Sequence, residues 1–161
     1  MAVLSIDLET YSNLDIRYGV HKYVDTPAFL VLLFAYAFDD EPVEVVDIAC
    51  GEKLPERVRK ALYDPNITKC AFNANFEIAC LKKYFPDLPV EQWECDSVLA
   101  LYNSYPPSLA TVAKAMRLDE DKQKDTRGKV LIQYFCKPCK PTAMKGGRRG
   151  NLPKHDRSRW E

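Results

Sequence analysis

The run Val3-Leu4-Ser5-Ile6-Asp7-Leu8-Glu9 limits the possible folds more than any other stretch of the chain. A short apolar segment that ends in acids is the pattern of a central β-strand whose C-terminal end opens into a site. Residues two apart on a strand leave the same face, so Asp7 and Glu9 present their carboxylates together with Leu8 buried behind them. Carboxylates placed this way can share a pair of divalent cations, as two-metal phosphoryl hydrolysis requires. An Asp-x-Glu triplet also occurs at ordinary solvated strand ends, so its meaning depends on residues farther along the chain.

Residues 29–38 and 43–48 are rich in β-formers and flank the polar turn Asp39-Asp40-Glu41-Pro42, which predicts an antiparallel hairpin. The apolar run of 11 residues from Ala28 to Phe38 is too short to cross a bilayer and reads as a buried strand. Residues 54–63, with Pro55 in the first turn and Val58 and Leu62 on one face, predict a surface helix. Residues 67–72 read as another short strand, after which Asn73 caps a helix running to about Tyr84. Two further helices are expected over 96–102 and 108–118, divided by the breaker Tyr105-Pro106-Pro107, and a last short one over 129–135. Three strands, a helix, a strand and then helices make an α/β arrangement around a mixed sheet.

Lys plus Arg equals Asp plus Glu at 23 each, yet the charge is unevenly distributed. From Cys136 to Glu161 eight basic residues stand against two acidic ones, so that end carries +6 and residues 1–135 carry −6. This division suits a protein that binds cations in one place and phosphates in another. After Phe135 the composition turns to Pro, Gly, Lys and Arg. Residues 137–154 therefore read as a loop or arm ordered, if at all, by a partner. The expected division is a domain over 1–135 followed by a basic Pro/Gly-rich segment over 136–161. Six cysteines, with no charged-then-apolar leader before them, read as the reduced thiols of a cytosolic protein.

A second constellation is Phe72-Asn73-Ala74-Asn75-Phe76-Glu77. Asn73 ends a strand and caps a helix, and Glu77 lies one turn later, near the positive helix terminus. On its own this is a capped helix with an acidic first turn. The ordered combination is more specific: Asp7-Leu8-Glu9-Thr10 resembles the first exonuclease motif of the DEDD superfamily, and Asn73-x-x-Phe76-Glu77 resembles its second, Asn-x-x-(Phe/Tyr)-Asp. Asp96-Ser97-Val98-Leu99, with Ser108-Leu109 and Val112-Ala113-x-x-Met116-x-Leu118, is similar to the helical pair of these domains. Phe135-Cys136-x-Pro138-Cys139-Lys140-Pro141-Thr142 and Gly146-Gly147-Arg148-x-x-Asn151-Leu152-Pro153 look like exonuclease regions of phage-type family A DNA polymerases.

The resemblance implies an RNase H-like mixed sheet flanked by helices and a metal-dependent 3′→5′ exonuclease of the proofreading kind. Asp7, Glu9 and Glu77 would be its catalytic and metal-binding acids, with Mg²⁺ or Mn²⁺ in a two-metal site, one position of which these acids alone would hold poorly. Thr10, Tyr11, Asn73, Phe76, Lys145, Arg148 and Arg149 would meet a single-stranded DNA 3′ end. Glu77 departs from the family's Asp by one methylene. The third motif, Tyr-x-x-x-Asp, would follow Trp160-Glu161, so activity of these residues alone is expected to be weak or lost without a helix supplied by the polymerase remainder or another protein chain.

Other features read more plainly. Cys136-x-x-Cys139 with His155 falls short of the four ligands of a structural zinc site, and a turn with two unligated thiols is the better reading. His21 reads as a surface-loop histidine. Tyr11, Tyr18 and Tyr23 can stack on an unpaired base, although core packing explains at least half of them. A competing function is a nuclease remnant that binds nucleic acid, or blocks another nucleic-acid enzyme, without cutting.

Overall fold

The computed structural model describes residues 2–118 and 126–161. Its centre is β1 (Ala2–Tyr11), whose Leu4, Ile6 and Leu8 alternate into the core as expected for a strand with one wet face. β2 (Leu30–Phe38) and β3 (Glu44–Asp47) form the antiparallel hairpin, and β4 (Ile67–Ala71) pairs parallel with β1 on the other side. A strand not anticipated from the sequence, β5 (Trp93–Cys95), adds parallel to β4 and gives the order β3-β2-β1-β4-β5. The result is the expected α/β fold on a mixed sheet.

One face of this sheet is closed by three helices: α1 (Val20–Val24), α2 (Glu56–Tyr63) and α3 (Ala74–Lys82). Tyr23 and Val24 from α1, Val58, Ala61 and Leu62 from α2 and Cys80 and Leu81 from α3 join Leu4, Ile6, Leu8, Phe34 and Phe38 in the main core. Helix α1 falls where the sequence predicts a loop, and it carries His21 on its exposed side. Lys69 is wholly buried in β4, where its ammonium donates to the carbonyls of Asp64 and Ile67 at 2.9 Å each.

The other face of β1 carries Ser5, Asp7, Glu9 and Tyr11. α4 (Asp96–Tyr102) and α5 (Leu109–Ala115) wall a cleft over Asp7. Farther along β1 the chain from α6 (Thr126–Leu131) onward covers the same face. Between Glu9 and Thr10 the pairing with β2 slips by one residue, and the extra residue, Leu32, is fully buried against Tyr11 and Phe135.

The basic segment, anticipated from its composition as a loop or arm ordered, if at all, by a partner, is held by contacts within the chain. α6 continues into a π-helical turn over Ile132–Cys136, and Phe135 packs edge-on against Tyr134 and Trp160 with ring centroids 4.8 Å apart in each pair. α7 (Arg157–Trp160) returns to the hairpin, where Trp160 donates its indole N–H to Asp47 Oδ2 at 2.6 Å. Between them Asn151 is buried. Its Oδ1 accepts from the Arg148 guanidinium at 3.3 and 3.4 Å, and its Nδ2 donates to the Tyr134 carbonyl at 3.1 Å. Gly150 lies flat on Tyr11, where an added Cβ would sit 2.4–2.5 Å from the ring and its hydroxyl. Proline and glycine counts signal irregular backbone, but they do not reveal that the backbone is docked.

Candidate active site

Asp7 projects from the middle of β1 into a cleft of about 820 Å³ that Glu9, Phe76, Glu77 and Asp96 also line. β1 presents Asp7 and Glu9, the first turn of α3 presents Glu77, and the first residue of α4 is Asp96. Strands β1, β4 and β5 are parallel, so their C-terminal ends lie along one edge of the sheet. Acids from three consecutive strand ends therefore meet at that edge, where open α/β sheets place their sites.

The four carboxylates differ in setting. Asp7 is exposed, Glu9 and Asp96 are half-buried, and Glu77 is only 4% exposed. Burial pushes Glu77 up to about 7, the Asp7 charge pushes the same way, and the backbone amide at the helix start only partly offsets them. Its Oε2 has no hydrogen-bond partner among the described residues. A carboxylate buried in this way is ordinarily paired, protonated or bound to a cation. Asp96 is raised as well, by burial and by Glu94. Opposite the acids, Leu99, Leu109, Val112 and Met116 make an apolar wall, with Asn103 and Tyr105 at its end.

Glu9 sits at a junction. Ile132 reaches in from the π-helical turn and lines this cleft together with two smaller cavities of about 400 and 180 Å³, and Glu9 borders all three. The Cys136 thiol donates to Glu9 Oε2 at 3.5 Å, and burial followed by the Glu9 charge pushes that thiol up to about 12, so it stays protonated. Among the described residues no three His, Cys, Asp or Glu side chains stand close enough to hold an ion as they are. The donor set is nonetheless all oxygen, and the unpartnered oxygen of Glu77 fits a hard divalent cation.

No family model matches the chain. Over its whole length it is 48% identical, across 163 residues, to a DNA polymerase of Bacillus phage SP02, of which it spans a quarter. Its fold is shared with NrnC of Brucella melitensis bound to pGG, at a TM-score of 0.55 and 19% identity over 77% of this chain and 55% of that one. Escherichia coli RNase D, an exoribonuclease involved in structured RNA processing, also superposes with a TM-score of 0.55, at 17% identity over 79% of this chain and 30% of that one. Over its length the chain is homologous to part of a phage DNA polymerase, and its fold is that of NrnC and RNase D.

The fold gathers some of the residues anticipated for the site and leaves others apart. Asp7, Glu9, Phe76 and Glu77 share the cleft. Thr10 and Tyr11 do not reach it: Thr10 is buried and hydrogen-bonded to the Tyr23 hydroxyl at 2.9 Å, and Tyr11 lies beneath Gly150. Asn73 is the N-cap residue of α3 but makes no side-chain capping bond, and it stands exposed beside the cleft rather than in its lining. Arg148 is held by Asn151 and the Lys145 carbonyl, and of the three basic residues only Arg149 is exposed. In sequence Asp96 is legible only as part of a helix. An acid directly after a strand is the signal that would place it with Asp7. Cys136 has no such signal, since 127 residues separate it from Glu9. None of the six cysteines is in a disulfide, and no metal cluster forms around Cys136 and Cys139 among the described residues. No helix among those residues is long and apolar enough to cross a membrane.

Proposed function

We propose that this chain is the metal-dependent 3′→5′ exonuclease part of a DNA polymerase, acting on single-stranded DNA ends in a bacterial cytoplasm. The observation that carries the reading is Glu77, buried with an unpartnered oxygen and aimed into the cleft of Asp7 and Glu9. The Mg²⁺ in one solved relative by fold, NrnC, supports a divalent cation here, and pGG bound to the same nuclease supports a short nucleic acid as ligand. Residues 1–135 supply the domain and 136–161 its covering segment.

Asp7, Glu9 and Glu77 would hold Mg²⁺ or Mn²⁺, which supplies charge to polarise the scissile phosphate and to lower the pKa of a water. The protein's own part is positional. β1 fixes Asp7 and Glu9 on one face, and α3 brings Glu77 in from the adjoining strand end. Deprotonating Glu77 above about pH 7 prepares the buried carboxylate to receive a cation. The apolar wall from α4 and α5 offers unpaired bases a surface that excludes water, and Phe76 offers an aromatic face. Arg149 and the exposed lysines of the covering segment would follow the phosphate backbone.

The test is degradation of a 5′-labelled single-stranded oligonucleotide in Mn²⁺. Stepwise 3′ shortening that Asp7→Ala reduces at least about 1,000-fold is expected, which is about 4 kcal/mol of transition-state stabilisation. An oligonucleotide left intact by wild type while a gel shift remains positive would instead mark a binding module.

A further inference from the structure

Cys136 reaches Glu9 from the covering segment and hydrogen-bonds its carboxylate, with Sγ 3.5 Å from Oε2. That placement is built by the fold rather than left to a mobile loop. Phe135, next in the chain, is 2% exposed and fixed among Tyr11, Leu32 and Trp160. The turn over Ile132–Cys136 is π-helical, a rare geometry that recurs at functional sites. Ile132 on the same turn enters the cleft beside Glu9. The turn thus sends Ile132 into the cleft and Cys136 onto the acid, while Phe135 anchors both.

We propose that Cys136 is a positioning residue for the exonuclease reaction, its thiol fixing the Glu9 carboxylate at the mouth of the cleft. The inference rests on the exonuclease reading, because a carboxylate needs a fixed orientation only if it receives a cation or substrate. A donor behind a metal-binding group sets its direction, and losing such a partner commonly weakens metal binding by about 10- to 100-fold. A thiol suits the place, being a small donor that packs against the cluster of Tyr11, Leu32 and Phe135 without bringing a charge near Glu9.

Two measurements test this. In EDTA, urea unfolding of wild type, Cys136→Ala, Glu9→Ala and the double variant reads the contact without metal or activity. The folding equilibrium of the double variant should differ from the product of the single effects by about three- to tenfold, and strictly additive effects overturn the proposal. Mn²⁺ titration by calorimetry then reads the role. Cys136→Ala should bind about tenfold more weakly and Cys136→Ser should recover to within a few-fold. In the nuclease assay Cys136→Ala should lower kcat with KM little changed. Wild-type Mn²⁺ affinity in Cys136→Ala overturns the positioning role. Coupling in EDTA together with no Mn²⁺ binding by wild type overturns the exonuclease reading, and the role with it, while leaving the contact itself standing.

Discussion

Asp7 and Tyr11 stand on the same face of β1, four residues apart, in opposite surroundings. Around Asp7 the protein leaves needs unmet: an exposed acid, a buried Glu77 with an unpartnered oxygen, and a wide cleft with an apolar wall. Around Tyr11 nearly every group has a partner. Phe135 has a ring on each side, the Tyr134 hydroxyl donates to Asp156 at 2.8 Å, and Trp160 donates to Asp47. The two halves of one strand face thus separate a cleft with an unpartnered buried oxygen from a place finished by the chain itself. Unsatisfied buried polar groups lower stability, and proteins tolerate them chiefly where function requires them.

The sharpest way to break this contrast is to empty the finished half. Phe135→Ala should destabilise the protein by about 3–5 kcal/mol, the range for deleting a buried aromatic side chain. Urea denaturation measures the loss, and hydrogen exchange should show protection disappearing from residues 137–155 before β1 and β4. A loss below about 1 kcal/mol would mean that the segment is only loosely laid on the sheet.

The unmet half should respond in the opposite direction. The folded protein holds the Glu77 proton up to about pH 7, against 4.5 for an ordinary glutamate. The stability this gives is therefore full below about pH 4.5 and is lost as pH rises through 7, a decline of about 3 kcal/mol. In EDTA, Glu77→Gln should remove that decline and make the metal-free protein the more stable of the two at pH 8. Equal pH dependence in the two proteins would show that Glu77 is not held in a desolvated state. The smallest effect is expected at the far edge of the covering segment. Trp160→Phe keeps an aromatic ring on Phe135 but loses the donor to Asp47, for about 1 kcal/mol. The Asp47 carboxyl, which burial would raise but hydrogen bonds from Trp160 and Cys50 hold down, should then titrate higher in NMR.

The half that holds the acids is the more legible in sequence. Asp7 and Glu9 are fixed by strand alternation, and Glu77 by its position after a strand in the first turn of a helix; both are local rules. The finished half can be read only as composition. Nothing near Tyr11 indicates that a ring two residues past the Asp-x-Glu pair will be roofed by Gly150, and nothing near Phe135 indicates that it will share a cluster with Leu32. Those pairings depend on a register slip in β2 and on contacts more than a hundred residues apart. The partners of Thr10, Tyr11 and Arg148 are hidden from sequence for the same reason: their residue types suit nucleic acid, while the fold sets them against Tyr23, Gly150 and Asn151. β5 escapes notice because three residues are too few to show a period.

Gly150 ties the history of two distant positions together. Its backbone is not in the left-handed region, so a survey of torsion angles would pass it over, yet the tyrosine ring leaves no room for a methyl group there. The restriction belongs to the pair rather than to the glycine. Among descendants of this sequence, residue 150 should become free to vary only in lineages where residue 11 has first become small, so the two sites are expected to co-vary as if they were neighbours in the chain.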